Sequence, residues 1–197
     1  MRITKFVHAC VRIEHEGRVL VIDPGIWSEP HALFGADAVL VTHAHSDHVD
    51  RLRLAGLGAT VYAPAGAEIP GVEATPVEVG EEFSAAGFTV TAHGGRHATV
   101  HGDEPAVANL GYLVDGEVYH PGDALHVPAA PVRTLLVPAQ ASWLKTAEAI
   151  DFIAAVGPER AFAIHDAQVN ERGLEGIDHW LSRATPGYRR LRPGESA

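Results

Sequence analysis

Residues 39–50 read VLVTHAHSDHVD, a stretch in which three histidines and two aspartates directly follow a short apolar run. The continuous apolar run predicts a central strand that is covered on both faces. His43 and His45 are two positions apart at the end of this strand, so both imidazoles can point the same way. Asp47 and His48 follow, where the chain must turn. Imidazole and carboxylate are the ligands that a borderline ion such as Zn²⁺ selects, and the cluster offers more of them than one tetrahedral ion can take. The stretch therefore predicts two divalent metal ions rather than a solvated, histidine-rich turn.

The composition is that of an ordinary globular protein except for its histidines. Thirteen histidines are many for 197 residues, and six of them fall within residues 43–48 and 93–101. The length, the 46% hydrophobic content and the 20% charged content favour one domain that spans residues 1–197. The N-terminus alternates apolar and polar residues without the apolar segment of a signal peptide, and no stretch predicts a membrane span. We therefore expect a cytoplasmic protein.

Charge and cysteine content exclude several classes of site. The formal net charge of −10 repels nucleic acid phosphates, and the basic cluster YRRLR at residues 188–192 is too short to override it, so we expect no nucleic acid partner. The single cysteine, Cys10, excludes an intramolecular disulfide and a thiolate-rich zinc site. We interpret Cys10 as a small apolar residue in a strand.

The remainder of the chain predicts mostly short strands. Asp115-Gly116 lies between alternating residues and predicts a β-hairpin. A helix is predicted from an N-cap at Thr146 to a stop at Gly157. Residues 15–25 and 114–123 both run from a tight turn through a short strand into Pro-Gly, and an apolar strand follows each. This repetition predicts two related halves that face one another in a layered sandwich, with sheets inside and helices outside.

The motifs together resemble a known superfamily. THAHSDH is similar to the signature of the metallo-β-lactamase-fold hydrolases. VLVIDPG precedes it, and GGRHATVH, YHPGD and AIHD follow it, in the order typical of that superfamily. The small size and the run NLGYLVDGEVYHPGD most resemble the small bacterial relatives of the ascorbate-6-phosphate lactonases. The resemblance implies an α/β fold, a four-layer αββα sandwich of two mixed sheets with helices outside.

The resemblance also implies a ligand set. The first metal is matched by His43, His45 and His97, the second by Asp47, His48 and His165, and Asp123 matches the bridging carboxylate. Zinc is the default ion, although manganese or iron also suits nitrogen and oxygen ligands. His93 and His101 are the alternatives to His97, and His101 is otherwise a candidate to contact substrate. Asp103 or Glu104 would be the candidates if Asp123 does not bridge.

Several further residues surround this predicted centre. Asp23 of IDPG matches a position that supports the metal site from behind. His8 could orient a ligand or simply pack in the core. Trp27 and Trp143 both follow strand ends, so each could line the pocket or cap the core, and Trp143 is the better pocket candidate.

These features predict a hydrolase that acts on a small lactone, ester or phosphoester. Two ions can share a hydroxide and hold it against an electrophilic carbonyl or phosphoryl group. Asp47 would orient this bridging hydroxide and take its proton. His45 stands where the diiron members carry glutamate, which favours hydrolysis over redox chemistry. The alternatives are a non-catalytic metal-binding or sensing protein and a nuclease of the tRNA-processing type. The expected partner is a small-molecule substrate, and no pattern indicates the oligomeric state.

Overall fold

The computed structural model describes residues 1–102 and 107–197. Within these residues the chain forms two mixed β-sheets. The first sheet has six strands in chain order, β1 (Arg2–Lys5), β2 (Val11–His15), β3 (Arg18–Ile22), β4 (Ala38–Leu40), β5 (Thr60–Pro64) and β6 (Ala74–Val77). The second sheet has seven strands, β7 (Glu82–Ala85), β8 (Phe88–Gly94), β9 (Leu110–Val114), β10 (Val118–His120), β11 (Thr134–Pro138), β12 (Arg160–Ile164) and β13 (Tyr188–Arg189), also side by side in chain order.

Both sheets change from antiparallel to parallel pairing at a corresponding strand. β1, β2 and β3 pair antiparallel, whereas β3 to β6 pair parallel. β7 to β10 pair antiparallel, whereas β10 to β13 pair parallel. The two repeated segments therefore occupy equivalent places, since each supplies a hairpin strand and is followed by a parallel neighbour. This agrees with the two related halves predicted from the sequence.

Two tight turns close the hairpins that precede these parallel pairs. Glu16 and Gly17 have φ of 50° and 78°, and Asp115 and Gly116 have φ of 50° and 65°. Positive φ at both central residues is what a type I′ turn requires, and its twist matches that of the flanking strands. The predicted hairpin at Asp115-Gly116 is confirmed.

Helices cover the outer faces of the sheets. A short 3₁₀ helix spans Pro30–Leu33, α1 spans Arg51–Leu54, α2 spans Thr146–Val156 and α3 spans Glu171–Leu181. Leu33 and Leu54 pack with Val39 on the first sheet, whereas Phe152 and Leu181 pack against the second sheet. None of the described helices combines the length and apolar character that crossing a bilayer requires.

A third apolar cluster fills the space between the sheets. Ile13, Leu20 and Leu40 of the first sheet pack there with Phe88 and Tyr112 of the second. Val39 and Leu40 are neighbours in β4, yet they belong to the outer and the inner cluster respectively, because successive side chains of a strand point to opposite faces. β4 is therefore covered on both faces, as its apolar run predicts. The order helix, sheet, sheet, helix confirms the αββα fold.

Two local predictions need correction. Thr146 is the first residue of α2 rather than its N-cap, which is Lys145. The side chain of Glu148, in the first turn, accepts a hydrogen bond at 2.9 Å from the backbone N–H of Lys145. This contact makes Lys145 the capping residue and leaves Thr146 inside the helix. β7 was not predicted, because its four residues EFSA alternate between polar and apolar but are too short a run to give a strong strand signal. Cys10 is buried in the outer cluster of the first sheet, which agrees with its apolar interpretation, but it directly precedes β2 rather than lying in a strand.

Candidate metal centre

The histidine-rich stretch forms a tight loop that begins after β4. The backbone N–H groups of His48 and Val49 both donate to the carbonyl oxygen of His45, at 3.0 and 2.9 Å. The loop packs directly on the turn that follows β3, where a Cβ atom on Gly25 would lie 1.8 Å from the carbonyl oxygen of Asp47. Only glycine fits at such a contact, so the sequence IDPG fixes the position of the loop that carries the predicted ligands.

The structure brings all the residues of the predicted ligand set into one cluster. Together with His8 they form three groups, and within each group the ligand atoms lie within 4.8 Å of one another. The first group is His43, His45 and His97, and the second is His8, Asp47, His48 and His165. The third group is His43, His48 and Asp123. The first two groups correspond to the two predicted metal sites, with His8 as an additional residue in the second. Because His43 and His48 each belong to two groups, the two sites are adjacent.

Asp123 lies between these two groups. Its Oδ2 atom is 3.0 Å from Nε2 of His165 and 3.4 Å from Nε2 of His97, while Oδ1 is 3.2 Å from Nε2 of His48. The side chain thus contacts residues of both predicted sites, as a bridging carboxylate must. The fallback candidates Asp103 and Glu104 lie outside the described residues.

His97 is the histidine of its segment that joins the cluster. Its ring centroid is 5.0 Å from that of His43 and 4.9 Å from that of His45. By contrast, His93 stacks on His126 on the second sheet, and His101 is exposed. The structure therefore places His97, rather than either neighbour, where the first site needs a third histidine.

The residues present fit a metal ion because several buried polar atoms face one another without partners. Although Nε2 of His48 lies 3.2 Å from Oδ1 of Asp123 and Nε2 of His165 lies 3.0 Å from Oδ2, the two nitrogens and Oδ1 make no hydrogen bond of good geometry among the described residues. Leaving one such atom buried and unsatisfied costs about 1–3 kcal/mol, so a cluster of them is unfavourable unless something binds there. Divalent ions would satisfy all of these atoms together.

The opposite ring nitrogens of the same histidines are already engaged. Nδ1 of His48 lies 2.7 Å from Oδ2 of Asp23, and Nδ1 of His165 contacts the carbonyl oxygen of Gln140. Nδ1 of His97 likewise contacts the carbonyl oxygen of Ala98. A hydrogen bond at Nδ1 fixes the tautomer and leaves the Nε2 lone pair free, which is the usual arrangement for histidines that bind metal.

Asp23 supports the centre from behind. It is fully buried with φ of 51°, and its carboxylate accepts from the backbone N–H and the hydroxyl of Thr42, at 2.8 and 2.7 Å, as well as from His48. The structure thus places Asp23 where the resemblance implies, behind a ligand. It also joins that ligand to the end of β4.

Burial and nearby charges together set the protonation of the cluster. Burial lowers the pKa of His48, but the carboxylates of Asp123 and Asp23 outweigh it and raise the pKa to about 10. Burial raises the pKa of Asp47, yet the hydrogen bond from His8 and the nearby His48 lower it to about 2. Burial also lowers the pKa of His43 well below its usual value. His43 is therefore neutral at pH 7, whereas His48 must lose a proton before it can bind metal.

Two residues of the centre were missed from the sequence. His120 is buried, with Nε2 2.8 Å from the carbonyl oxygen of Ala9 and Nδ1 accepting from the N–H of Gly122. Asn109 accepts from the N–H of Asp123 at 2.9 Å, so it holds the loop of the bridging carboxylate. The polar residues in YHPGD and NLGYLV, flanked by apolar strand positions, were the available signal.

Trp27 and Trp143, two of the three tryptophans, lie beside the centre. The indole N–H of Trp143 donates to Oδ2 of Asp123 at 3.1 Å, and its ring is 6.1 Å from that of His97. Trp27 is 43% exposed and packs edge-on against His8, with ring centroids 4.8 Å apart. Trp143 is the one that contacts a predicted ligand, which agrees with its choice as the better pocket candidate.

Comparison with known proteins places the chain among metal-dependent hydrolases. The model of the beta-lactamase superfamily domain matches residues 2–165. Protein Rv0786c of Mycobacterium tuberculosis is 41% identical over 188 residues, which cover 88% of this chain and 89% of the relative. A UPF0173 metal-dependent hydrolase of Carboxydothermus hydrogenoformans is 30% identical over 196 residues, which cover 84% of each chain.

Solved structures share the fold at low sequence identity. The metallo hydrolase Igni18 of Ignicoccus hospitalis superimposes with a TM-score of 0.74 at 18% identity, covering 100% of this chain and 97% of that one. A putative metal-dependent hydrolase of Parabacteroides distasonis gives 0.76 at 16% identity, covering 98% and 92%. These likenesses confirm the predicted fold class.

Proposed function

This chain belongs to the beta-lactamase superfamily, whose domain model matches residues 2–165, and from that premise we propose that it is a binuclear metal-dependent hydrolase. The names of its UPF0173 relatives, metal-dependent hydrolases, support the class of enzyme. The observation that carries the binuclear assignment is Asp123, a buried carboxylate that contacts histidines of two ligand groups while one of its oxygens lacks any partner among the described residues.

The proposed ligands divide between two ions. His43, His45 and His97 would hold the first ion, and Asp47, His48 and His165 the second, with Asp123 shared between them. Zinc is the ion we propose first, because imidazole and carboxylate suit it, and manganese or iron are the alternatives. When bound, two such ions activate a water molecule and polarise the carbonyl or phosphoryl oxygen of a substrate.

The side chains around the centre would orient the reactants. Asp47 is half-buried, and the neighbouring His45 and Ser46 are exposed, so this face of the cluster opens to solvent. A carboxylate with a pKa of about 2 accepts a hydrogen bond more readily than a proton. We therefore assign Asp47 the role of orienting the attacking water, which keeps one of the two roles expected from the sequence and drops the other, that of proton acceptor.

The substrate that we propose is a small lactone, ester or phosphoester. All three present an electrophilic centre whose oxygen gains negative charge during attack, which is the charge that a cationic centre stabilises. The centre needs no serine or cysteine nucleophile, and the buried Cys10 has its pKa raised by burial, which makes a thiolate unfavourable.

Metal stoichiometry and turnover, measured on one sample, test this proposal. The metal-free protein is reconstituted with zinc or manganese, analysed for metal, and assayed against panels of lactones, carboxylic esters and phosphodiesters. We expect about two ions per chain and turnover that a chelator abolishes. The matched control is Asp151→Asn, which changes an exposed aspartate on α2 and should leave the metal content and the turnover unchanged. Two ions without turnover on any panel would instead favour a binding or sensing protein, and one ion or fewer would refute the binuclear centre.

A further inference from the structure

His8 occupies a strained and fully buried position beside the proposed centre. It lies in the loop between β1 and β2, with φ of 66°, a left-handed conformation that is uncommon for residues other than glycine. Its carbonyl oxygen accepts from the backbone N–H of His165 at 3.0 Å, which ties this loop of the first sheet to the end of β12 in the second. Strain of this kind persists only where the surroundings enforce it, and it clusters at functional sites.

The hydrogen bonds of His8 define its tautomer. The backbone N–H of Ala167 donates to Nδ1 of His8 at 3.4 Å, so Nδ1 carries the lone pair. In the neutral ring Nε2 then carries the hydrogen, and it donates to Oδ2 of Asp47 at 3.1 Å. An Nε2 atom used as a donor has no lone pair for a metal ion.

Packing shields the His8 end of this hydrogen bond from solvent. The His8 ring is tilted against the ring of His165 with centroids 3.9 Å apart, and Trp27 packs edge-on against it with centroids 4.8 Å apart. Only 1% of the His8 side chain is exposed, compared with 19% of the Asp47 side chain. A hydrogen bond in such low-dielectric surroundings is stronger than one in water, so it can hold the Asp47 carboxylate in one orientation.

We propose that His8 is a positioning residue, whose Nε2–H holds the carboxylate of Asp47 in the orientation needed to bind the second metal ion. The inference rests on the proposed binuclear function, because it concerns a ligand of that centre. It goes beyond the ligand set by making the β1–β2 loop part of the metal site. The competing assignment is that His8 is itself a ligand, since its ring belongs to the same group of ligand atoms as Asp47, His48 and His165.

Metal affinity and histidine NMR separate these assignments. The affinity for the second zinc ion is measured by chelator competition in the unmodified protein, His8→Gln and His8→Phe. Glutamine retains a terminal N–H donor, whereas phenylalanine keeps the ring without any donor. We expect His8→Phe to weaken the second site about 10–100-fold, the usual effect of removing a partner that orients a metal ligand, and His8→Gln to restore most of the affinity. The matched control is His93→Phe, a half-buried histidine of β8 that stacks on His126, and it should bind zinc normally.

The NMR measurement uses the unmodified protein and does not depend on how the variants fold. In ¹⁵N–¹H spectra of the histidine rings, with the His8 signals identified by their loss in His8→Gln, Nε2 should stay protonated after zinc is bound. Loss of that proton on zinc binding would make His8 a ligand and overturn the proposal. Normal second-site affinity in His8→Phe, or equal weakening in both variants, would overturn it as well. If the unmodified protein binds fewer than two ions, the binuclear function fails instead, which is a distinct result.

Discussion

Asp47 is the one residue that we propose both as a metal ligand and as a participant in the reaction. Its carboxylate belongs to the second ligand group and accepts a hydrogen bond from His8, yet Asp47 is half-buried whereas the histidines of that group are buried. A ligand that faces solvent can contact an incoming water, whereas the buried histidines cannot. We therefore expect changes at Asp47 to affect turnover more than they affect metal content.

Asp47→Asn tests this expectation. The substitution keeps the size and one oxygen atom but removes the negative charge that orients the attacking water, so turnover should fall by about 10²-fold, the order of the cost of misplacing a reacting group, while most of the metal remains. Metal analysis and kinetics must be made on the same sample, because loss of the second ion would also reduce the rate. Near-normal turnover with both ions bound would remove Asp47 from the mechanism.

Asp123 differs from Asp47 because it is buried and contacts both ligand groups, so we expect it to act in metal binding. Asp123→Asn should weaken binding of both ions at once, and added zinc should then raise the thermal midpoint of the variant far less than that of the unmodified protein, since bound ligand stabilises the native state by mass action. Elemental analysis and thermal unfolding with and without zinc measure the two effects. A variant that retains two ions would show that another group bridges them.

At the scale of elements, the ligand loop is positioned by backbone contacts more than by its own side chains. Gly25 lies against the carbonyl group of Asp47, and the N–H of Asp50 donates to the carbonyl oxygen of Pro24. Any side chain at residue 25 must push the loop away from the turn that follows β3. The position of the loop that carries the proposed ligands therefore depends on residue 25 having no side chain.

Gly25→Ala should consequently behave as a metal-site variant although it changes no ligand. We expect weaker binding of zinc and a loss of stability of about 1–3 kcal/mol, the usual cost of overpacking a close contact. Gly56→Ala is the control, because nothing lies within 4 Å of a Cβ atom there. Chelator competition and chemical denaturation of both variants check the prediction. Equal metal affinity in the two variants would mean that the loop adapts without cost.

The elements that could be predicted from the sequence are those with strong local signals. The apolar run of β4, the Asp115-Gly116 turn and the Gly157 stop of α2 are each determined by neighbouring residues, and the structure shows all three. His8, His120 and Asn109 take their roles from contacts with residues distant in sequence, so the local pattern marks each as a polar residue beside apolar strand positions but does not give its partner. β7 was missed for a different reason, because it is an edge strand of four residues and so short a run gives a weak period-2 signal.

At the scale of the whole molecule, the site joins the two halves of the fold. The loops after β3 and β4 of the first sheet contribute Asp23 and residues 43–48, while those after β8, β10 and β12 of the second contribute His97, Asp123 and His165. Metal bound by both sets of loops would therefore cross-link the two sheets. Stability and metal binding should be coupled over the entire molecule, in a way that depends on pH.

The pH dependence of that coupling follows from His48. In the metal-free protein the pKa of His48 is raised from 6.5 to about 10, so the protonated ring contributes stability that is complete below 6.5 and is lost as the pH rises through 10. Metal binding removes this proton, so zinc competes with it less as the pH increases. The thermal midpoint of the metal-free protein should therefore fall between pH 7 and 10, while the zinc-loaded protein is spared this loss.

The gap between the two midpoints should widen from pH 6 to pH 9. At a free zinc concentration of 100 times Kd the stabilisation is about 2.7 kcal/mol for one site, and each kcal/mol shifts the midpoint of a protein of this size by about 2–4 °C. Thermal scans at each pH, with zinc or with chelator, give the gap. Calorimetric titrations in buffers of different ionisation enthalpy give the number of protons released, which should be at least about one at pH 7.5 because His48 is then protonated in the metal-free state. A gap that stays constant with pH, or zinc binding without proton release, would show that His48 is not displaced from its carboxylate partners and is not a ligand.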